Sequence, residues 1–396
     1  MIVKAASGQK GYDAEELLRA YFLRAGFYVL RGLPLKFEDV DATDIDLWLY
    51  ERPTGTARRR QITDAKFKQK PKAIERLFWT KGLAELLNVD GAYVATTDKR
   101  RALRSIAKEL GLSLIDGTDL ERMRQSDRIL YPDRLTEEEF TTLIKEVDTS
   151  RKTREAVTIY NDVKGLVSKS FGVPLINVSL ECFAVAARNC VTAHENSEAA
   201  KAYGRLAYFC ASIAAAALDF LSVEEPFKSS DERRQIFTNA VRFGATTKEI
   251  GTEKLRIATA LVRRYAQNGP AVASSVESSV MNDFDKIPAE IIADQAVKMS
   301  SNGQMFQSAR ALEHWSFSKI LPTYDELEAR DKSLLGAFLD FSDVGREAFA
   351  TAWKTQITAK IAEGFAERKA AFAWGADGQA GNSPGPLFDQ VIDIDD

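Results

Sequence analysis

The chain has 396 residues, 45% hydrophobic and 28% charged, which is enough apolar surface for a sizeable core and enough length for more than one domain. Its formal charge of −3 conceals an asymmetry: Met1 to Arg128 holds 24 Lys and Arg against 19 Asp and Glu, a net +5, and the remainder holds 30 against 38, a net −8. The first part is therefore the better candidate for contact with nucleic acid, and three cysteines, Cys182, Cys190 and Cys210, without a C-x-x-C pair argue against a disulfide framework and for core thiols.

The opening residues show no charged, apolar and small-residue succession of the kind that directs export, so the expected location is the cytoplasm. From Asp13 to Ala25 the residues Leu17, Leu18, Tyr21, Phe22 and Ala25 recur at helical spacing, and Gly26 ends the helix. Phe27 to Leu30, Ile45 to Tyr50 and Gln61 to Phe67 alternate or are rich in strand formers, and Gly32, Pro34, Pro53 and Gly55 separate them, which predicts three strands. A helix from Lys72 to Leu87, a strand from Ala92 to Thr96, a helix from Arg101 to Leu110, a strand from Leu112 to Ile115 and a short helix after Gly117 complete a mixed-sheet α/β domain, residues 1–128.

Beyond about Asp133 helical periodicity dominates, with segments at Glu137 to Val147, Leu180 to Val191, Ser197 to Val223, Lys254 to Ala266 and Ser333 to Lys369, and no strand is predicted. The nearly uncharged run Leu206 to Leu218 is too short to span a bilayer and reads as a buried helix. Residues 129–374 are thus expected to form an all-α domain for recognition or regulation, able to bind a protein partner or a second copy of the chain. Residues 375–396, rich in Gly, Ala, Asn, Ser and Pro before an acidic end, read as a flexible tail.

The chemistry concentrates in the second and third strands. Two-residue alternation puts Asp64, Lys66 and Lys68 on one face of the third strand, with Thr63, Ala65 and Phe67 opposite, and Asp44 and Asp46 on one face of the second, with Ile45, Leu47 and Leu49 opposite. Pairing of the two strands would bring carboxylates together beside a lysine. Hydrolysis of a phosphodiester requires neutralised phosphate charge and an activated water, and hard carboxylate oxygens holding Mg²⁺, with Mn²⁺ able to substitute, serve both needs. The tripeptide itself is cheap, since Asp162-Val163-Lys164 and Glu367-Arg368-Lys369 also match it, so the context of strands carries the weight.

In that context the first third of the chain resembles the PD-(D/E)xK nucleases. The order of an acidic helix, Gly26-Phe27, then Asp44-Ile45-Asp46-Leu47, then Asp64-Ala65-Lys66, is similar to that superfamily's core. Gly91-Ala92-Tyr93-Val94-Ala95-Thr96-Thr97 and Leu114-Ile115-Asp116-Gly117-Thr118-Asp119-Leu120 resemble the end of the catalytic domain of Mrr-type restriction endonucleases, in which Gln or Glu is frequent at the position of Asp64. The resemblance implies a restriction-endonuclease-like α/β fold, with Asp46 and Asp64 as metal-binding acids, Lys66 as catalytic lysine and Glu15 as the acid of the first helix. It also implies a Mg²⁺-dependent DNA endonuclease serving restriction or antiviral defence. The rival reading is a non-cleaving nucleic-acid-binding or assembly subunit of a defence or DNA-repair complex.

For Glu15 a place in the first helical turn, and for Asp44 a turn at the strand entrance, are the plain structural alternatives. Arg58, Arg59, Arg60, Lys68 and Lys70 are the candidate phosphate contacts, against the plain reading of a solvated face. The only histidines, His194 and His314, leave zinc and histidine-based chemistries without ligands, and no phosphate-binding loop is present.

Overall fold

The computed structural model describes residues 7–37, 40–67, 72–126, 129–224, 227–300 and 302–355, so the expected tail, Lys68, Lys70 and Glu367 to Lys369 lie outside the described residues. The N-terminal part runs α1 (Ser7–Arg24), β1 (Tyr28–Phe37), β2 (Val40–Glu51), β3 (Arg59–Lys66), α2 (Ala73–Leu86), β4 (Gly91–Thr96), α3 (Ala102–Glu109), β5 (Ser113–Ile115) and α4 (Gly117–Gln125). This is the predicted order of elements. The strands form one five-stranded sheet in the order β1-β2-β3-β4-β5, antiparallel from β1 to β3 and parallel from β3 to β5. Gly26, at φ +95°, stops α1 and turns the chain into β1, and the N–H of Phe27 closes on the carbonyl of Phe22 at 3.0 Å.

One face of the sheet is covered by α1 and α4, with Leu17, Leu18 and Phe22 packed on Val29, Leu47, Leu49 and Ala65. The other face carries Tyr28, Leu30, Trp48, Tyr50 and Ile62, and its core continues through α2 and α3 into the helical part of the chain. That part runs α5 (Glu137–Arg151), α6 (Glu155–Val167), α7 (Val173–Thr192), α8 (Glu198–Leu221), α9 (Ser230–Phe243), α10 (Lys248–Tyr265), α11 (Gly269–Asp285), α12 (Ala289–Ser300), α13 (Gln304–Phe317), α14 (Ala329–Phe341) and α15 (Arg346–Thr351). Among its described residues the only β pairing is a lone bridge between Arg134 and Ser318. The border near residue 128 thus separates two kinds of secondary structure while one hydrophobic core crosses it.

Helix α8 is the axle of the helical part. Its small side chains, Ala211 and Ala214 to Ala217, let α7 and α13 approach closely, and Gly204 lies under Trp353, where a Cβ would come within 2.9 Å of the indole. The helix is long and apolar enough to cross a membrane, but 94% of its apolar window is buried inside the protein, as the reading of a core helix required. Cys190 and Cys210 are buried, Cys182 is half-buried, and all three are free. The continuous helix predicted from Ser333 breaks after Phe341: Asp343 takes φ 53°, the N–H of Val344 returns to the carbonyl of Leu339 at 3.0 Å, and α15 starts only at Arg346.

Where α1, β1 and the helical part meet, charges are neutralised in a buried network. Arg19, 1% exposed, donates to Glu313 at 2.9 Å and Glu137 at 3.2 Å and lies over the ring of Phe317. Arg31 holds Glu15, Glu16 and Glu138 at 2.7–3.0 Å. Glu137 also accepts from Tyr160 and Lys164. Burial alone would raise the Glu137 carboxyl, but the surrounding Lys164 and Arg19, with hydrogen bonds from Lys164 and Tyr160, hold it at about 2.

Candidate active site at a fork in the sheet

Strands β2 and β3 are paired from Glu51 opposite Arg59 to Leu47 opposite Thr63, and there they part. Beyond Leu47, β2 stays with β1 through Ile45, Asp44 and on to Val40, while beyond Thr63, β3 stays with β4, with Asp64, Ala65 and Lys66 opposite Val94, Ala95 and Thr96. Asp46 and Asp64 are the first residues past the point of separation, one on each tine. The backbone N–H of Ala65, left without a strand partner on that side, donates to Oδ2 of Asp46 at 2.6 Å. Asp46 therefore closes the ladder with its side chain, which leaves its second oxygen for other work.

The fork also disturbs alternation. Leu47 and Leu49 pack under α1, as predicted, but Ile45 joins Trp48 and Tyr50 in the core on the opposite face. The expectation that Ile45, Leu47 and Leu49 share a face is thus corrected. Gly32, which falls between the paired residues Arg31–Leu47 and Leu33–Ile45, sits at φ +61°, and Leu30 and Leu33 likewise share one core. A left-handed glycine on β1 lets both strands switch faces at the level of Asp46.

The electrostatics single out Asp46. Burial raises its pKa, opposed by the Ala65 N–H and by the charges of Lys66 and Arg76, and Asp44 adds a further upward push. Lys66 is half-buried and, among the described residues, forms no ion pair. Asp64 is buried, with a side chain 7% exposed, and both of its oxygens face the guanidinium of Arg76 on α2, the Nε contact being 2.8 Å. Burial pulls the pKa of Arg76 below its ordinary value and Asp46 opposes the shift. Asp46, Asp64, Lys66 and Arg76 thus form one interacting group.

Glu15 stands at the edge of this group. Its carboxylate is bound by Arg31, and its pKa is raised by burial, with Arg31 opposing and Asp46 adding to the rise. Asp44 is exposed on β2 beside Lys36 and Asp41, lining a groove of about 1300 Å³ between the β1–β2 hairpin and α6 and α7.

The arginine triplet corrects the expectation of a phosphate-binding loop. Arg58 is buried, and its guanidinium is held by Asp219 at 2.6 Å and Ser222 at 3.1 Å, so it ties the sheet to α8. Arg60 is largely covered, lies over the ring of Phe220 and donates to the carbonyl of Asn88. Only Arg59 extends into solvent, near Glu51 at 3.8 Å. All three lie at the far end of β2 and β3 from the carboxylates: Asp46 and Glu51 are separated by about 17 Å of extended strand. The decoy Lys164 is buried against Glu137.

Arg76 and Arg31 are the residues that the sequence reading did not reach. Arg76 had one faint signal, a cation in the first turns of the helix that follows the acidic strand. In comparisons with protein-family models, with curated proteins and with solved structures, nothing matches the chain.

Proposed function

We propose that the chain is a Mg²⁺-dependent DNA endonuclease with a restriction-endonuclease-like catalytic domain, acting in the cytoplasm in restriction or antiviral defence. The observation that carries this reading is the fork, which brings Asp46, Asp64 and Lys66 together from strands that no longer bond to each other. Among the described residues no group of three or more His, Cys, Asp or Glu is arranged to hold a metal. Two carboxylates suffice for Mg²⁺, which keeps several waters and takes substrate phosphate oxygens as further ligands. The donor set therefore fits that ion and excludes the soft-ligand metals.

Asp46 and Asp64 would hold the cation, which supplies charge neutralisation at the phosphate and acidity at a water. Asp46 is already oriented by the Ala65 N–H. Lys66, without a carboxylate partner among the described residues, has its Nζ free to position the attacking water and to take up or release its proton. Asp64 enters this work only when Arg76 gives it up, and the released guanidinium then lies beside the site as a second cation for phosphate.

The test is plasmid nicking by the full chain with Mg²⁺ and with chelator. Asp46→Ala, Asp64→Ala and Lys66→Ala should each lower the rate by at least about 10³-fold, the scale of losing an acid–base or metal-holding group, with DNA binding retained. Asp162→Ala, at the decoy tripeptide, should cut normally. The Arg76 clamp on Asp64 favours the rival, a DNA-binding or assembly subunit in which the fork stays closed. Binding of DNA without Mg²⁺-dependent cleavage of linear, plasmid or single-stranded forms would establish that rival in its place.

A further inference from the structure

We infer that α10 and α11 form the contact surface of a homodimer in which the basic helix of each copy lies over the acidic helix of the other. The two helices make an antiparallel hairpin that turns tightly at Gly269, where a Cβ would meet the carbonyl of Arg263 within 2.5 Å. The hairpin is rooted on α9 through Phe243, which packs against Phe284 with ring centroids 5.3 Å apart and leaves no room for a side chain at Gly251. Its own seam is made of small residues, Thr259, Ala273 and Gly269, all buried.

The large apolar side chains of the hairpin point elsewhere. Ile250, Ile257, Leu261 and Tyr265 are 55–72% exposed and recur at i, i+7, i+11 and i+15, which is one face of α10 with the spacing of a helix-packing seam. Val272 and Val276 on α11 are about 40% exposed and separated by one turn. An apolar stripe on a weakly anchored hairpin, uncovered by any described residue, is the surface of an association site.

The charges identify the partner. Helix α10 carries five cations, Lys248, Lys254, Arg256, Arg263 and Arg264, against two acids, while α11 carries three acids, Glu277, Asp283 and Asp285, and no cation. Among the described residues a single ion pair, Arg263 to Glu277 at 3.4 Å, links the two helices. A nucleic acid would meet the acidic helix beside the basic one and a row of Ile and Leu between the cations. A second copy sets the net positive α10 against the acidic α11. A two-fold axis running along the hairpin sets α10 over α11 of the partner and α11 over its α10, giving a four-helix packing with opposite charges across both contacts. An axis across the hairpin would instead put five cations over five. The pairing is independent of the nuclease reading.

Sedimentation equilibrium of the full chain over a wide concentration range tests it. The wild-type chain should dimerise, more weakly as salt is raised, and Ile257→Asp with Leu261→Asp should weaken association at least about 100-fold, since each copy then buries two unpaired carboxylates. Both side chains are exposed, so the circular dichroism spectrum of the variant should match the wild type, and its melt should match at concentrations low enough for the wild type to be monomeric. Lys254→Glu sharpens the geometry: it weakens the dimer when α10 faces α11, and strengthens it when like helices face each other. A wild-type chain that stays monomeric, a dimer indifferent to the double substitution, or a dimer strengthened by Lys254→Glu would overturn the proposal.

Discussion

Two charged clusters lie against the same sheet and treat their charges differently. In the network of Arg19, Arg31, Glu137 and Glu313 every guanidinium faces carboxylates, and Arg19 and Glu313 are almost wholly removed from water. At the fork, Asp46 is held by one backbone N–H, Lys66 has no ion pair among the described residues, and Asp64 is held by an arginine on a neighbouring helix. The residue types are the same in both places. The network pairs its charges, although Nε of Arg19 and Oε2 of Glu313 lack a hydrogen bond, and its interaction energy goes to the fold, whereas Asp46 and Lys66, which have no ion pair among the described residues, remain able to bind something else. Charges left open, more than charges present, locate the candidate chemistry.

The comparison can be broken first by stability. Arg19→Met removes the shared partner of Glu137 and Glu313, leaving the first with Lys164 and the second with Arg134 alone, so it should cost about 3 kcal/mol or more, read as a lower midpoint in urea unfolding. A loss below about 1 kcal/mol, the scale of an exposed pair, would show that the network is solvated and no different from the fork.

A smaller contrast lies inside the arginine triplet. Arg58→Ala should destabilise the fold by about 3 kcal/mol, because Asp219 loses a buried partner even with Arg52 still at 2.7 Å, whereas Arg59→Ala, at an exposed position, should change stability by less than about 1 kcal/mol. If the triplet is a phosphate-binding loop after all, Arg58→Ala and Arg59→Ala will leave the melt alone and both flatten the salt dependence of DNA binding.

Acid provides a third test. Glu137 has a folded pKa of about 2 against an ordinary value of 4.5, so the stability it contributes is fully present above 4.5 and is lost as pH falls from there through about 2. Urea unfolding of Glu137→Gln should therefore show a shallower acid limb than the wild type. Parallel limbs would mean that Lys164 and Arg19 do not hold the carboxylate in its charged form.

Gly32 and Pro34, expected to separate the first two strands, lie inside β1, which has ten residues, and β2 has twelve. The order of elements in the first third was nevertheless legible, because the strand cores are rich in strand formers and each helix carries a clear stripe. The fork was not. It arises where Gly32 adopts a positive φ and both strands change faces, and strict alternation cannot anticipate a switch that depends on the partner strand. Hence residue type and order single out Asp46, Asp64 and Lys66 as candidates, but put Ile45 on the wrong face and do not reach Arg76, which arrives from another element. In the helical part α8 and most of α5, α7, α10 and α14 are read from helical periodicity, and α8 also from its nearly uncharged run. Helices α9, α11, α12 and α13 are not predicted; in α11 and α13 polar and small residues obscure the stripe, since α11 packs through Gly and Ala and α13 buries Ser308, Glu313 and His314. The arginines at 58 to 60 read as a surface run because a sequence does not reveal that Asp219, 161 residues away, takes the first of them into the core.

The smallest expected effect is the most discriminating. The pKa of Asp46 is raised in the fold, chiefly by burial, and the sign is the reverse of that for Glu137. With the folded value above the ordinary 3.8, ionised Asp46 costs stability, fully so above its folded pKa, and the cost disappears as pH falls below 3.8. Asp46→Asn removes the charge but keeps an oxygen that can accept from the Ala65 N–H, so the ladder at the fork stays closed. The variant should melt at the wild-type temperature or slightly above it, within about 1 kcal/mol, while losing Mg²⁺-dependent cleavage. Differential scanning calorimetry at neutral pH, run beside the nicking assay, reads both outcomes. A folding element of the kind found around Arg19 would do the opposite, losing stability along with its charge. If Asp46→Asn is destabilised by several kcal/mol, the fork is one more closed junction in the fold, and the openness that marks it as a site is refuted.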